Sequence, residues 1–123
     1  MQDQPPIADL LEAVSRFVRE DAMPQLTGHA AFNARIAGNV LEIVRRELAK
    51  GPIAQQAERE RLATLLHEDG ELDQLNRRLC ERIRAGQMGL QTPGLTDHLW
   101  QTVLDKVSID QPGYGTFKRL TKG

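Results

Sequence analysis

The sequence predicts an all-α fold, a single compact bundle of about five helices followed by a non-helical C-terminal extension. Apolar residues return every three or four positions in five successive segments, which is the period of an amphipathic helix. No stretch alternates apolar and polar residues as a half-buried strand does, and aromatic residues make up only 4% of the chain. Pro24, Gly51-Pro52, Gly70, Gly86 and Thr92-Pro93 fall at the ends of these segments. A chain of 123 residues has the usual size of one domain, so one helical domain is expected over residues 1–123, with 1–5 and 115–123 flexible.

The first helix follows Pro5-Pro6. Ile7, Leu10, Leu11, Val14, Phe17 and Val18 share one arc, with Asp9, Glu12, Arg16 and Arg19 opposite, and the pattern ends before Pro24. The second runs from about Gly28 to Lys50 and is expected to stop at Gly51-Pro52. Its apolar residues, among them Phe32, Ile36, Val40, Ile43, Val44 and Leu48, cover about 200° of circumference at 3.6 residues per turn, so it needs cover on more than one side. A third helix, about Ile53 to His67, buries Leu62, Ala63, Leu65 and Leu66 and ends in the turn Glu68-Asp69-Gly70. The fourth, about Glu71 to Ala85, carries the stripe Leu72, Leu75, Leu79 and Ile83 and stops at Gly86. The fifth opens at Thr92-Pro93, a capping residue before a proline, with Leu95, Leu99, Trp100, Val103, Leu104 and Val107 on its core side.

Composition narrows the function. A net charge of −1 and a pI near 6.3 supply no basic field for nucleic acid. No apolar run approaches the roughly 20 residues that span a bilayer. Cys80 has no second cysteine to pair with, and MQDQPPIADL has neither the basic start nor the apolar core of a signal peptide, so the expected location is cytoplasmic.

Three sets of residues are candidates for function. Asn33 lies at the middle of the second helix's apolar arc, with His29 one turn before it and Glu47 on the same side, so this trio forms either an inward hydrogen-bond network or the polar part of a ligand pocket. Arg35, Asn39, Glu42 and Arg46 make a polar ladder on the opposite side, read as a solvated or docking face. Asp105, Lys106, Asp110 and Tyr114 belong to the terminal extension, which either folds back to close the core or offers a docking strip.

The remaining chemistry is sparse. Glu68, Asp69, Glu71 and Asp73 lack the glycine and glutamate spacing of a calcium loop. His29, His67 and His98 share no metal-ligand spacing, Cys80 has no nearby base, and no phosphate-binding glycine pattern occurs. No metal, cofactor or catalytic residue is therefore assigned. Arg77, Arg78, Arg82 and Arg84 read as a solvated face.

The succession FNARIAGNVLEIVRRELAKGP, LDQLNRRLCERIRAG and TVLDKVSIDQPGY resembles the bacterial domain of unknown function family 6285, most specifically in the segment ending IDQPGY. The resemblance implies an all-helical accessory module. Members of that family are encoded beside, or fused to, kinase-like proteins of the aminoglycoside-phosphotransferase type and near acyl-CoA dehydrogenases. A kinase-like partner, or one associated with an acyl-CoA dehydrogenase, is thus the implied partner, with homo-oligomerisation a further expectation. The family supplies no catalytic residues. Relatives are expected to carry histidine where this chain has Asn33. A small-molecule-binding protein with its pocket at His29, Asn33 and Glu47 is the alternative reading.

Overall fold

A computed structural model describes residues 1–122. Among them every regular element is helical: α1 (Ile7–Arg16), a π-helical turn (Phe17–Ala22), a 3-10 turn (Met23–Gln25), α2 (Gly28–Leu66), α3 (Leu72–Arg84), α4 (Leu95–Asp110) and α5 (Gly115–Thr121). The chain divides into two compact units, Met1–Lys50 and Gly51–Gly123.

The five helices are not drawn where the sequence places them. The second and third expected helices are one, α2, of 39 residues with Pro52 inside it. Proline cannot donate to the carbonyl four residues back, so Leu48 loses its partner, yet a single missing rung does not have to end a helix. The flanking residues, rich in Ala, Glu, Gln and Leu, favour continuation. The extension is not wholly non-helical either, because residues 115–121 form α5. Of the tail expected to be flexible, Gly123 lies outside the described residues.

In the first unit, α1 and the N-terminal half of α2 make an antiparallel hairpin. Numbers rise along the first helix as they fall along the second: Arg45 Nη2 lies 4.0 Å from Glu12, the Ser15 hydroxyl donates to Glu42 at 2.8 Å, and Arg19 Nη2 donates to the Gly38 carbonyl at 3.2 Å. Close approach depends on small residues. Ser15 and Gly38 are the buried residues of this unit, and a Cβ at Gly38 would stand 3.3 Å from Arg19 Nε. The Ser15 hydroxyl, and after it the Arg45 guanidinium, hold the Glu42 carboxyl below its usual range.

The second unit has an apolar core of Leu62, Leu66, Leu75, Leu79, Met88 and Leu95, flanked by Ala63, Leu65 and Leu72. It joins the C-terminal half of α2 to α3 and to the start of α4. Two ends are well capped. At α3, Glu71 and Gln74 form a reciprocal capping box. At the end of α2, His67 takes the left-handed conformation, φ 54°, while the Glu68 N–H reaches the Ala63 carbonyl at 3.3 Å, which is a Schellman closure. Arg82 donates from α3 to the Leu66 carbonyl at 3.1 Å and secures the same end. The fourth expected stripe ends early, since Ile83 is 40% exposed. α4 starts at Leu95 behind Gly94, φ 86°, not at Thr92-Pro93. The Thr92 hydroxyl instead accepts from the Gly89 N–H at 2.9 Å.

Leu62 is completely buried, so Leu62→Ala should lower the free energy of unfolding in urea by about 2–5 kcal/mol, while the exposed Cys80 changed to Ser should stay within about 0.5 kcal/mol of the parent. His67→Gly should raise stability. A left-handed conformation costs a non-glycine residue about 1–2 kcal/mol, and the added flexibility of glycine returns about 0.5–1 kcal/mol of that.

Candidate functional site

An open cleft of about 690 Å³ lies in the second unit, between the C-terminal half of α2 and the start of α4. Glu60, Arg61, Thr64, Leu65 and His67 line it from α2, and Pro93, Gly94, Asp97, His98 and Gln101 from the α4 side. The helical period explains the placement. Glu60, Arg61 and Thr64, and on α4 Asp97, His98 and Gln101, are related by three or four residues, so each set shares one side of its helix.

Its organising group is Arg61. Its Nε lies 3.4 Å from His98 Nδ1, its Nη2 lies 3.3 Å from the Thr102 hydroxyl and 3.8 Å from Asp105 Oδ2. The Thr102 hydroxyl in turn donates to the His98 carbonyl at 2.9 Å. His98 is only 4% exposed. Burial first, and the neighbouring Arg61 cation second, push its pKa below 6.5, with Glu58 opposing. A neutral imidazole that accepts at Nδ1 carries its hydrogen on Nε2. This histidine is therefore arranged to donate a hydrogen bond rather than to abstract a proton, because its lone pair is already turned to Arg61. Among the described residues no group of three or more His, Cys, Asp or Glu side chains is gathered as a metal ion requires.

The sequence-predicted trio is elsewhere. His29, Asn33 and Glu47 are all exposed on α2, so they form no buried network, and they do not line the cleft. The reason is that α1 packs on the other side of α2. The ladder has the opposite outcome: Glu42 and Arg46 are half-buried, Glu42 binds Ser15 and Arg45, and only Arg35 and Asn39 remain exposed. Arg35 lies 5.5 Å from the centre of the Phe32 ring. In the second unit Lys106 and Asp110 are exposed, Tyr114 is 56% exposed, and half-buried Asp105 faces Arg61.

Sequence reasoning missed the Arg61–His98 pair. The available signal was positional: His98 and Thr102 stand four residues apart, on the side of α4 away from Leu99, Val103 and Trp100.

Because the native state takes up a proton at His98 less readily than the unfolded chain, the stability that depends on the neutral imidazole is complete above pH 6.5 and is lost as the pH falls below it. Thermal unfolding followed across this window should show the midpoint dropping on acidification, and His98→Gln should flatten that part of the profile.

No helix among the described residues is long and apolar enough to cross a membrane. No curated protein and no solved structure matches this chain. The model of one protein family does, over residues 24–114, from the turn before α2 to the residue before α5. This match takes in the whole of α2, α3 and α4, and the chain belongs to the family described as domain of unknown function (DUF6285).

Proposed function

We propose that the chain is a non-enzymatic, cytoplasmic interaction module for a kinase-like partner of the aminoglycoside-phosphotransferase type, serving acyl-CoA or related small-molecule catabolism. The partner rests on the family resemblance. The interaction role rests on one observation: α4 leaves an apolar stripe open, with Leu99 44%, Trp100 52% and Val103 50% exposed. Lys106 and Asp110 continue the arc of Leu99 and Val103 at helical spacing. A tryptophan amid aliphatic and charged neighbours is the composition that anchors protein interfaces. Such a stripe on a folded unit supports a binding role, and the orientation of His98 favours binding over proton transfer.

The cleft at Arg61 and His98 supports a second reading, a small-molecule site. Its volume of about 690 Å³ falls in the range of ligand pockets, and His98 Nε2–H with Arg61 would orient an acceptor group. Calorimetry with acyl-CoA and phosphorylated metabolites tests it; His98→Ala should abolish any heat of binding.

The principal reading is checked by affinity purification of the tagged chain from its host. A phosphotransferase-like protein should be recovered near one to one, and Trp100→Ala or Tyr114→Ala should reduce the recovery at least tenfold, equivalent to about 1.4 kcal/mol. Recovery of no such protein, or variants that behave like the parent, would sink the proposal.

A further inference from the structure

The first unit has a different uncovered surface. Its buried residues are Ser15 and Gly38, and no large apolar side chain in it is buried. At 50 residues, a unit of this size buries only a modest share of its surface and is marginal, and oligomerisation is one of the remedies for that. α1 covers the side of α2 that holds Gly38 and Glu42. On the other side, Phe32 is 51%, Ile36 44%, Val40 51% and Val44 39% exposed, and Leu48, 50% exposed, continues the row to the rim where it meets Ala8 and Leu11 of α1. These five stand at strict four-residue intervals, forming a single ridge of the sort that packs between helices.

We propose that this ridge is covered by the same ridge of a second copy, running antiparallel about a two-fold axis beside Val40. The register follows from the spacing. An axis at Val40 sets Val40 on its counterpart and Ile36 beside Val44, with Phe32 and Leu48 at the flanks of the contact. The polar residues of the face fall in place by the same operation. Asn33 and Glu47 lie seven positions either side of Val40, so each Asn33 amide faces the Glu47 carboxylate of the other copy and donates to it. A parallel pairing would set Glu47 against Glu47, which repel.

The ridge residues, 39% to 51% exposed, form the apolar centre of such a patch, and the polar residues around them extend it toward the ~800 Å² that each partner contributes to a standard interface. A self-complementary patch of this kind closes on itself as a dimer. The inference is independent of the α4 stripe and of the kinase-like partner, which use the second unit.

Sedimentation equilibrium at micromolar concentration should give twice the 13.8 kDa chain mass. Val40→Arg should return it to one chain with the helical circular dichroism intact. In a Cys80→Ser background, Val40→Cys should link to its counterpart under mild oxidation. Two helices about 8–10 Å apart on the axis bring those Cα atoms within the ~4.4–6.8 Å a disulfide spans. Asn33→Asp should raise the dissociation constant at least tenfold by facing two carboxylates, and the exchange Asn33→Glu with Glu47→Asn should restore it. A single-chain mass overturns the proposal. So does a double mass that survives Val40→Arg without cross-linking at Val40→Cys, since another face would then hold the copies together. If Val40→Arg loses its helix signal, the cross-link and the Asn33 exchange decide the matter.

Discussion

The packing of Leu62 and Leu66 against Leu75, Leu79, Met88 and Leu95 is the interaction on which the second unit depends. Each of its three long helical segments contributes to this cluster. Removing water from these side chains is the dominant favourable term available to so small a unit. The polar contacts around it act as position markers. Arg82 at the Leu66 carbonyl and Arg59 at the Gly70 carbonyl, 2.7 Å, pin the turn that brings α3 back onto α2. Arg61 performs the same service toward α4. The cleft exists because Arg61 and His98 are held by polar contacts beside the apolar cluster rather than within it.

The first unit rests on a different physical basis. Its helices touch through a serine, a glycine and a set of charged groups, with hydrogen bonds at 2.8 Å to Glu42 and 3.2 Å to Gly38. Such contacts fix register but contribute little net stability, because each replaces a hydrogen bond to water. Apolar burial is what this unit lacks, and the ridge centred on Val40 is turned away from its own hairpin partner.

Helical periodicity made the helices and the core of the second unit legible in the sequence. Leu62, Leu66, Leu75, Leu79 and Leu95 lie on the inward stripes that the period predicts and are buried. The failures share one cause. Periodicity identifies which residues share a side of a helix and does not identify what the side faces. On α2 the wide apolar arc predicts the interior side, yet α1 packs on the side where Gly38 permits close approach. His29, Asn33 and Glu47 were exposed as a result, and the ladder residue Glu42 was drawn into the contact. On α4 the same ambiguity concealed His98 and exposed Trp100. Gly51-Pro52 carries the usual signals of a helix end, and only the favourable residues on both sides explain why α2 passes through it.

The geometry of α2 between Phe32 and Leu48 carries an evolutionary consequence. Gly38, Glu42 and Arg45 set the register toward α1, while Ile36, Val40 and Val44, interleaved with them in the same turns, form the ridge on the other side. Substitutions can be absorbed on either side separately. An inserted or deleted residue cannot, since it turns everything beyond it by about 100° and misaligns both sides together. This part of the chain should therefore drift in composition among relatives while keeping its length.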